Sequence, residues 1–522
     1  MFTYITKILL LSSLIFSIDA YGRGPTRVAA EKLEEALKLY RTGQASGRKT
    51  WVNILRLENS YGKYFDNNSA ARLVAFKAQL LHNAGYPILS SIYAAESIQK
   101  SRHPFDKESV VAWKILKDAS DDEPLEYLLH KLAQKFSASG KIPKHFGNDW
   151  NYHIAQSYAN EGKASLANTH FSKLTMKDRY FIPAQYHLAV AKVDEGAYAE
   201  AEALFKTVLN RVPQSLSQLA NEEKTLMQNY AHLALARMYY EQGKFIPSAV
   251  HYRKIQKTSF LYYDALFEQS WALFMGGRPK HALGSLFGVH SPYFDDYYNP
   301  ESRILESMVY FWMCRYDEAR NSLADFVEVH SNTVEGLSNF IDRQRLTPEA
   351  SYQLFENLVS GVSSSALGIS TRVLKTAAER DSMLLIRSQY ASVLEERDRL
   401  EINGIFGLKK SSEAEENRLD TLGQEIRTKL GEIFLGELNY LNEHFADLYT
   451  QAQFLYLELL MGQKEHLLGR ELHANSKVKG SEAMNRFRNW SEKTQSWRDT
   501  KLEYWWDEIG FQVIDVEPLC HQ

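Results

Sequence analysis

Four glycines recur through the middle of this 522-residue chain, and two of the three steps between them are equal. The step from Gly162 to Gly196 and the step from Gly243 to Gly277 are both 34 residues long. Before each glycine lies an aromatic or aliphatic segment with helical spacing, and after it an alanine-rich amphipathic segment. Because glycine readily adopts the left-handed backbone that ends a helix, each position predicts a turn between two paired helices. The sequence therefore predicts an all-α fold whose central part repeats one unit.

The residue types around these glycines follow one pattern of small and large side chains. Small residues let two paired helices approach closely, and large residues fill the spaces between neighbouring pairs. The most complete unit has Leu188, Ala189, Gly196, Tyr198, Ala201, Phe205 and Pro213. The units around Gly162, Gly243 and Gly277 keep parts of the pattern, although Ser248 stands where alanine is expected. A fifth unit, three residues longer, has Cys314 in place of the turn glycine.

On these residues, positions 148–330 resemble the tetratricopeptide repeat (TPR) family. The resemblance implies a TPR-like α-solenoid that binds partners, with the ligand-facing positions on the first helix of each pair. Carried onto this chain, those positions form a predicted groove rich in aromatic residues. Its members are Tyr152, Gln156, Asn160, Tyr186, Asp194, Tyr230, Arg237, Tyr240, Phe267, Trp271, Phe274, Phe311 and Trp312. An exposed apolar surface of this kind usually marks an interaction site. The alternative is that the long helices of the second half cover it.

The flanking regions differ from the repeats. Residues 21–147 have helical spacing broken by prolines, which predicts irregular helical hairpins, one of them centred on Gly85. Residues 331–496 are rich in good helix formers and predict long helices in a coiled-coil-like hairpin, interrupted near Asn403–Gly404. Gly431, Gly436 and Gly462 argue against one unbroken rod. Residues 497–522 form a tail that should end a helix near Gly510, continue as an extended segment and cap the solenoid.

The first twenty residues have the composition of a secretory signal peptide. Lys7 precedes the apolar run from Ile8 to Ile18, and Ala20 is a small residue at a plausible cleavage point. An uncleaved membrane anchor is the alternative, but the run is short for a bilayer. No later stretch approaches membrane-spanning length, so we expect a soluble mature chain, without a transmembrane segment, in a bacterial periplasm.

The chain has two cysteines, Cys314 and Cys520. An oxidising compartment permits a disulfide between them, which would pin the tail to the fifth unit. Alternatively, Cys314 is simply a small buried residue beside Trp312 and Met313. The sequence leaves both possibilities open.

No motif for catalysis, phosphate binding or metal coordination is present, so we expect no enzymatic activity, no cofactor and no metal. His466 and His473 could share a helical face, but two ligands make a poor metal site. A net charge of −3 gives no reason to expect nucleic acid as a partner.

The segment Cys314–Ala319 (CRYDEA) and the tail residues Trp506–Glu508 resemble periplasmic TPR proteins of gliding and predatory Gram-negative bacteria, some of which belong to surface-motility machinery. The predicted function is a non-enzymatic periplasmic scaffold for protein–protein interactions in an envelope complex, such as surface-motility or adhesion machinery. The alternative is a peptidoglycan- or peptide-binding adaptor for a cell-wall enzyme.

Overall fold

The computed structural model describes residues 24–101, 107–120, 128–130, 132–133, 147–211, 221–344, 346–362, 369–409, 412–473, 495–497 and 509–520. Helices account for nearly all the regular structure in these ranges, so the all-α prediction is confirmed for the described residues. The strands described are two short segments, β1 (Gln495–Trp497) and β2 (Gln512–Ile514), which pair in parallel. The predicted signal peptide lies outside the described residues.

The chain divides into two compact units. The first contains residues 1–180 and 385–427. Its helices up to residue 180 are α1 (Pro25–Arg41), α2 (Gly47–Tyr61), α3 (Asn67–Asn83), α4 (Pro87–Lys100), α5 (Lys107–Ser120), α6 (Gly147–Asn160) and α7 (Ala164–Phe171). Side-chain caps begin two of them: Ser46 accepts from the amide of Lys49 at α2, and Asp66 accepts from that of Ser69 at α3. Trp51, Trp113 and Tyr93 are fully buried in this unit.

The second unit contains residues 181–384 and 428–522. Its helices up to residue 384 are α8 (Phe181–Asp194), α9 (Tyr198–Arg211), α10 (Asn221–Glu241), α11 (Phe245–Tyr252), α12 (Tyr262–Met275), α13 (Pro279–Val289), α14 (Glu301–Trp312), α15 (Tyr316–Gln344), α16 (Pro348–Val359) and α17 (Thr371–Ala378). From α8 to α15 each helix packs against the next one along the chain. The large core of this unit joins α10–α14 to Ile509 from the tail.

One turn geometry recurs between paired helices. A left-handed residue donates its amide to the carbonyl three residues back, and the next residue donates to the carbonyl five residues back, which is the Schellman arrangement. It occurs at Gly43, Gly85, Gly162, Gly196, Gly243, Gly277, Cys314 and Gly361. The φ angle is between 71 and 82° at the seven glycines and 57° at Cys314. The predicted turns are therefore present, and the same turn also occurs at Gly43, Gly85 and Gly361.

The second half of the chain supplies two helices, α18 (Asp381–Asn403) and α19 (Glu413–His473). In the first unit they run antiparallel: Arg397 pairs with Asp420, and Gly423 lies beside Val393. The 61-residue α19 is continuous, even though its glycines argued against one unbroken rod. A side chain at Gly431 would overlap the carbonyl of Pro348, and one at Gly462 would lie 2.8 Å from the ring of Phe311.

A buried carboxylate from α18 caps α4 inside the first unit. The two oxygens of Glu396 accept hydrogen bonds from the backbone amides of Ile88 and Leu89, at 2.9 and 2.8 Å. Burial raises the pKa of Glu396 to about 7, although both hydrogen bonds favour the ionised form. Nearby, Tyr93 donates to the buried carboxylate of Glu415 at 2.9 Å. Polar contacts as well as apolar ones therefore hold the hairpin against α4.

In the second unit, α19 packs along the preceding helices. Its buried side chains recur in steps of three or four residues: Leu430, Phe434, Leu438, Leu441, Phe445, Leu448, Ala452, Leu455 and Leu459. The ring of Phe434 lies 5.6 Å from that of Phe355, and the ring of Phe445 lies 5.3 Å from that of Tyr298. This part of α19 therefore packs against its neighbours rather than projecting freely into solvent.

Candidate interaction surfaces

Two members of the predicted groove are buried. Tyr152 is 7% exposed and stacks on Tyr180 with ring centroids 4.4 Å apart, while Phe267 is 8% exposed. Gln156 donates from its side chain to the hydroxyl of Tyr152 at 2.8 Å. Tyr152 and Phe267 fill the core of their units, so their assignment to an accessible groove is corrected.

The middle of the predicted groove is a half-buried aromatic cluster. The ring of Tyr186 lies 5.9 Å from Phe205 and 6.0 Å from Tyr230, and Tyr230 lies 6.2 Å from the exposed ring of Phe260. Ring contacts at these distances stabilise the packing of neighbouring helices. These tyrosines therefore act first as packing residues.

Arg237 forms an ion pair with Glu268 of the next helix pair. Its Nε donates to Glu268 at 2.8 Å, and a second guanidinium nitrogen contacts the other carboxylate oxygen. Tyr252 donates to the same carboxylate at 2.8 Å. Burial and the nearby carboxylate raise the pKa of Tyr252, and the hydrogen bond to Glu268 raises that of Arg237. Any ligand of Arg237 must compete with Glu268.

The far end of the predicted groove meets α19. Trp271 donates from its indole nitrogen to Glu301 at 3.1 Å, and His444 of α19 lies 3.9 Å from the same carboxylate. Burial raises the pKa of Glu301. Phe311 packs on Gly462 of α19. Within the second unit, α19 therefore covers the face of α14, the alternative that the sequence left open.

Among the aromatic residues of the predicted groove, Trp312 is the most exposed, with 53% of its surface open to solvent. Its ring contacts Phe274, which is half-buried and in turn contacts Trp271. Tyr240 is half-buried and packs against Phe245. What remains of the predicted surface is thus a small aromatic edge rather than a long groove.

A larger apolar surface lies on the opposite side of α19 from its buried stripe. Phe454 and Met461 are 64% and 65% exposed, and Leu457 and Leu468 are about half exposed. We call these four residues the α19 outer face. Sequence reasoning missed it because the apolar residues of α19 surround the helix. A helix that is apolar on all sides is usually buried. The apolar residues on every side of α19 were therefore the sequence feature that could have indicated a second contact surface.

The tail lies along the second unit and is covalently attached to it. Cys520 is bonded to Cys314, 206 positions earlier in the sequence. After Gly510 the chain is extended through β2, as predicted, while Trp506–Glu508 lie outside the described residues. Rather than capping the end of the repeats, the tail runs along α12 and α13 and reaches the turn between α14 and α15.

Six histidines of the second unit are buried or half-buried. Burial lowers the pKa to about 4 at His187, His232, His251, His281, His290 and His330. The Nδ1 atoms of His232 and His251 are 3.1 Å apart, so one neutral ring donates to the other. Within the described ranges, no group of three or more His, Cys, Asp or Glu side chains could hold a metal ion.

No family model matches the chain, and no curated protein matches its sequence. In the part of the chain that the structure describes, no helix combines the length and apolar character needed to cross a membrane.

Proposed function

We propose that this protein is a non-enzymatic, TPR-like α-solenoid that holds protein partners in a complex of the bacterial envelope. The observation that carries the proposal is the turn that recurs at eight positions with the same pair of backbone hydrogen bonds. Repetition of one helix pair creates extended surfaces suited to binding. The long hairpin of α18 and α19 is the coiled-coil-like part of this architecture.

The α19 outer face is the surface that best supports partner binding. Its four residues follow steps of three, four and seven along one helix, the spacing with which an amphipathic partner helix packs. Glu458, Lys464 and Glu465 are exposed on the same turns and provide charges of both signs around the apolar centre. We therefore propose an amphipathic α-helix of another protein as the element bound there.

The test compares the wild type with the double variant Phe454→Ser/Met461→Ser by crosslinking mass spectrometry in the native envelope. We expect the variant to lose the intermolecular crosslinks of α19 while its helix content is unchanged. Met176→Ser is the matched control, because Met176 is equally exposed but lies in a turn of the first unit. Unchanged crosslinks in the double variant would refute this interaction surface.

Export is a separate part of the proposal, supported by Lys7, the apolar run to Ile18 and Ala20. Cell fractionation should place the mature protein in the periplasm with its first twenty residues removed. Recovery of the intact chain from the cytosol would contradict it. The peptidoglycan-adaptor alternative predicts that purified peptidoglycan retains the protein, whereas the scaffold proposal predicts no retention.

A further inference from the structure

The tail occupies a groove on α12 and α13 through its backbone. Tyr262 donates to the carbonyl of Ile509 at 3.0 Å, and Gln269 donates to that of Gly510 at 3.3 Å. Ile509 is completely buried in the core of the second unit. The phenyl ring of Phe511 lies beneath two cationic groups, those of Arg253 and Lys257.

Two glycines on α13 make room for this backbone. A side chain at Gly284 would overlap the carbonyl of Gln512, and one at Gly288 would lie 3.1 Å from Ile509. Both glycines are inside a helix, where glycine is unfavourable relative to alanine. The helix surface is therefore shaped to receive an extended segment.

Not every polar group of the docked tail has a hydrogen-bond partner. The side chain of Gln512 is buried, yet neither its amide nitrogen nor its amide oxygen has a hydrogen-bond partner. Burying an amide in this way opposes docking. Beyond it, Asp515 and Glu517 are exposed and pair with Lys280, and exposed ion pairs contribute little.

The disulfide bond compensates for the weak non-covalent contacts of the tail from Gln512 onward. Leu519 donates its amide to the carbonyl of Met313 at 2.9 Å, beside the bond between Cys314 and Cys520. Both cysteines are only half-buried, so a thiolate can reach the bond. They are the only cysteines in the chain, so reduction has no competing disulfide to act on.

We propose that the tail is an internal ligand held by a redox-sensitive latch, and that reduction opens the α12–α13 groove to a second extended peptide of the same chemistry. That peptide has an apolar anchor, an aromatic residue and an acidic end, like residues 509–520. This inference does not rest on the proposed function, because neither export nor an envelope partner enters the argument.

The latch step is a thiol–disulfide exchange. A dithiol reductant attacks one sulfur as a thiolate, forms a mixed disulfide and is then oxidised to its own disulfide. Two electrons and two protons pass to the protein, which leaves Cys314 and Cys520 as free thiols. The reductant class is a small-molecule dithiol or a dithiol protein.

Hydrogen exchange on the full chain tests release of the tail. We expect the backbone amides of residues 510–517 and of Leu519 to exchange at least tenfold faster after treatment with dithiothreitol than before it. Cys520→Ser should show the fast exchange without reductant and should not respond to dithiothreitol, which controls for other effects of the reagent. Unchanged exchange in both the reduced wild type and Cys520→Ser would overturn the latch.

A labelled peptide of residues 509–522 carrying Cys520→Ser tests whether the groove opens. Fluorescence anisotropy should show binding to reduced wild type and to the Cys520→Ser protein, and at least tenfold weaker binding to the oxidised form. A peptide that also carries Ile509→Asp should bind the Cys520→Ser protein at least tenfold more weakly, because residue 509 is the fully buried apolar anchor of the docked tail. Equal binding to the oxidised and reduced proteins, or no effect of Ile509→Asp in the peptide, would contradict the proposal.

Discussion

At the residue scale, Cys314 shows how a disulfide bond can override the preference for glycine at a left-handed turn position. It occupies a left-handed turn position at φ 57°, where the seven equivalent turns have glycine. A side chain in this conformation costs about 1–2 kcal/mol. Its bond to Cys520 explains why a residue other than glycine is retained there.

Two variants separate the effect of losing the disulfide on stability from the effect of the left-handed backbone at Cys314. Cys314→Gly and Cys520→Ser both remove the disulfide, and loop entropy alone sets that loss at about 4–5 kcal/mol. Only Cys314→Gly also relieves the left-handed position, so we expect it to be more stable than Cys520→Ser by about 1 kcal/mol. Denaturant unfolding under one oxidising condition measures the difference. The reverse order would show that the turn is not strained by cysteine.

Some residues could be assigned from the sequence and others could not, for a physical reason. The turns at Gly162, Gly196, Gly243 and Gly277 depend on nearby residues, so their spacing was sufficient. The burial of Tyr152 and Phe267 depends on which helices pack against them, and the groove prediction placed them wrongly. A disulfide between two distant cysteines remained one of two open possibilities for the same reason.

At the element scale, α19 shows that a glycine in a helix can either make room for a neighbouring segment or face open space. Gly431 and Gly462 lie where Pro348 and Phe311 approach closely, whereas a side chain at Gly436 would meet nothing within 4 Å. Helix propensity treats these glycines alike and counts each of them against an unbroken helix. Tertiary contacts distinguish them, and those contacts come from residues more than eighty positions away.

This contrast gives a prediction with its own control. Gly431→Ala forces a methyl group into the backbone of Pro348 and should destabilise the protein by about 2 kcal/mol. Gly436→Ala should stabilise it by about 1 kcal/mol, since alanine is the better helix former in open space. Thermal unfolding of both variants tests the pair. Equal effects would mean that the helix does not approach Pro348 as described.

At the scale of the whole molecule, buried and half-buried histidines make stability depend on pH. Six histidines of the second unit have a pKa of about 4 when folded, against about 6.5 in an unfolded chain. Their contribution to the free energy of unfolding is complete above pH 6.5. It is lost as pH falls toward 4, because the unfolded chain then binds more protons.

Each well-buried histidine contributes about 2 kcal/mol to this loss and each partly exposed one less, so we expect the free energy of unfolding to fall by on the order of 5 kcal/mol between pH 7 and pH 5. The raised pKa values of Glu301 and Glu396 act in the opposite direction but involve fewer groups. Urea unfolding followed by circular dichroism at several pH values measures the slope. Constant or increasing stability on acidification would show that these histidines are not buried in neutral form.

The central claim is that a repeat-based helical protein holds another protein through the α19 outer face. Its most direct test places a photo-reactive amino acid at Met461, and at Met176 as control, in the native cell envelope. The account predicts an adduct with a single other protein from position 461 and none from position 176. No adduct at position 461, or one confined to this chain itself, would contradict it.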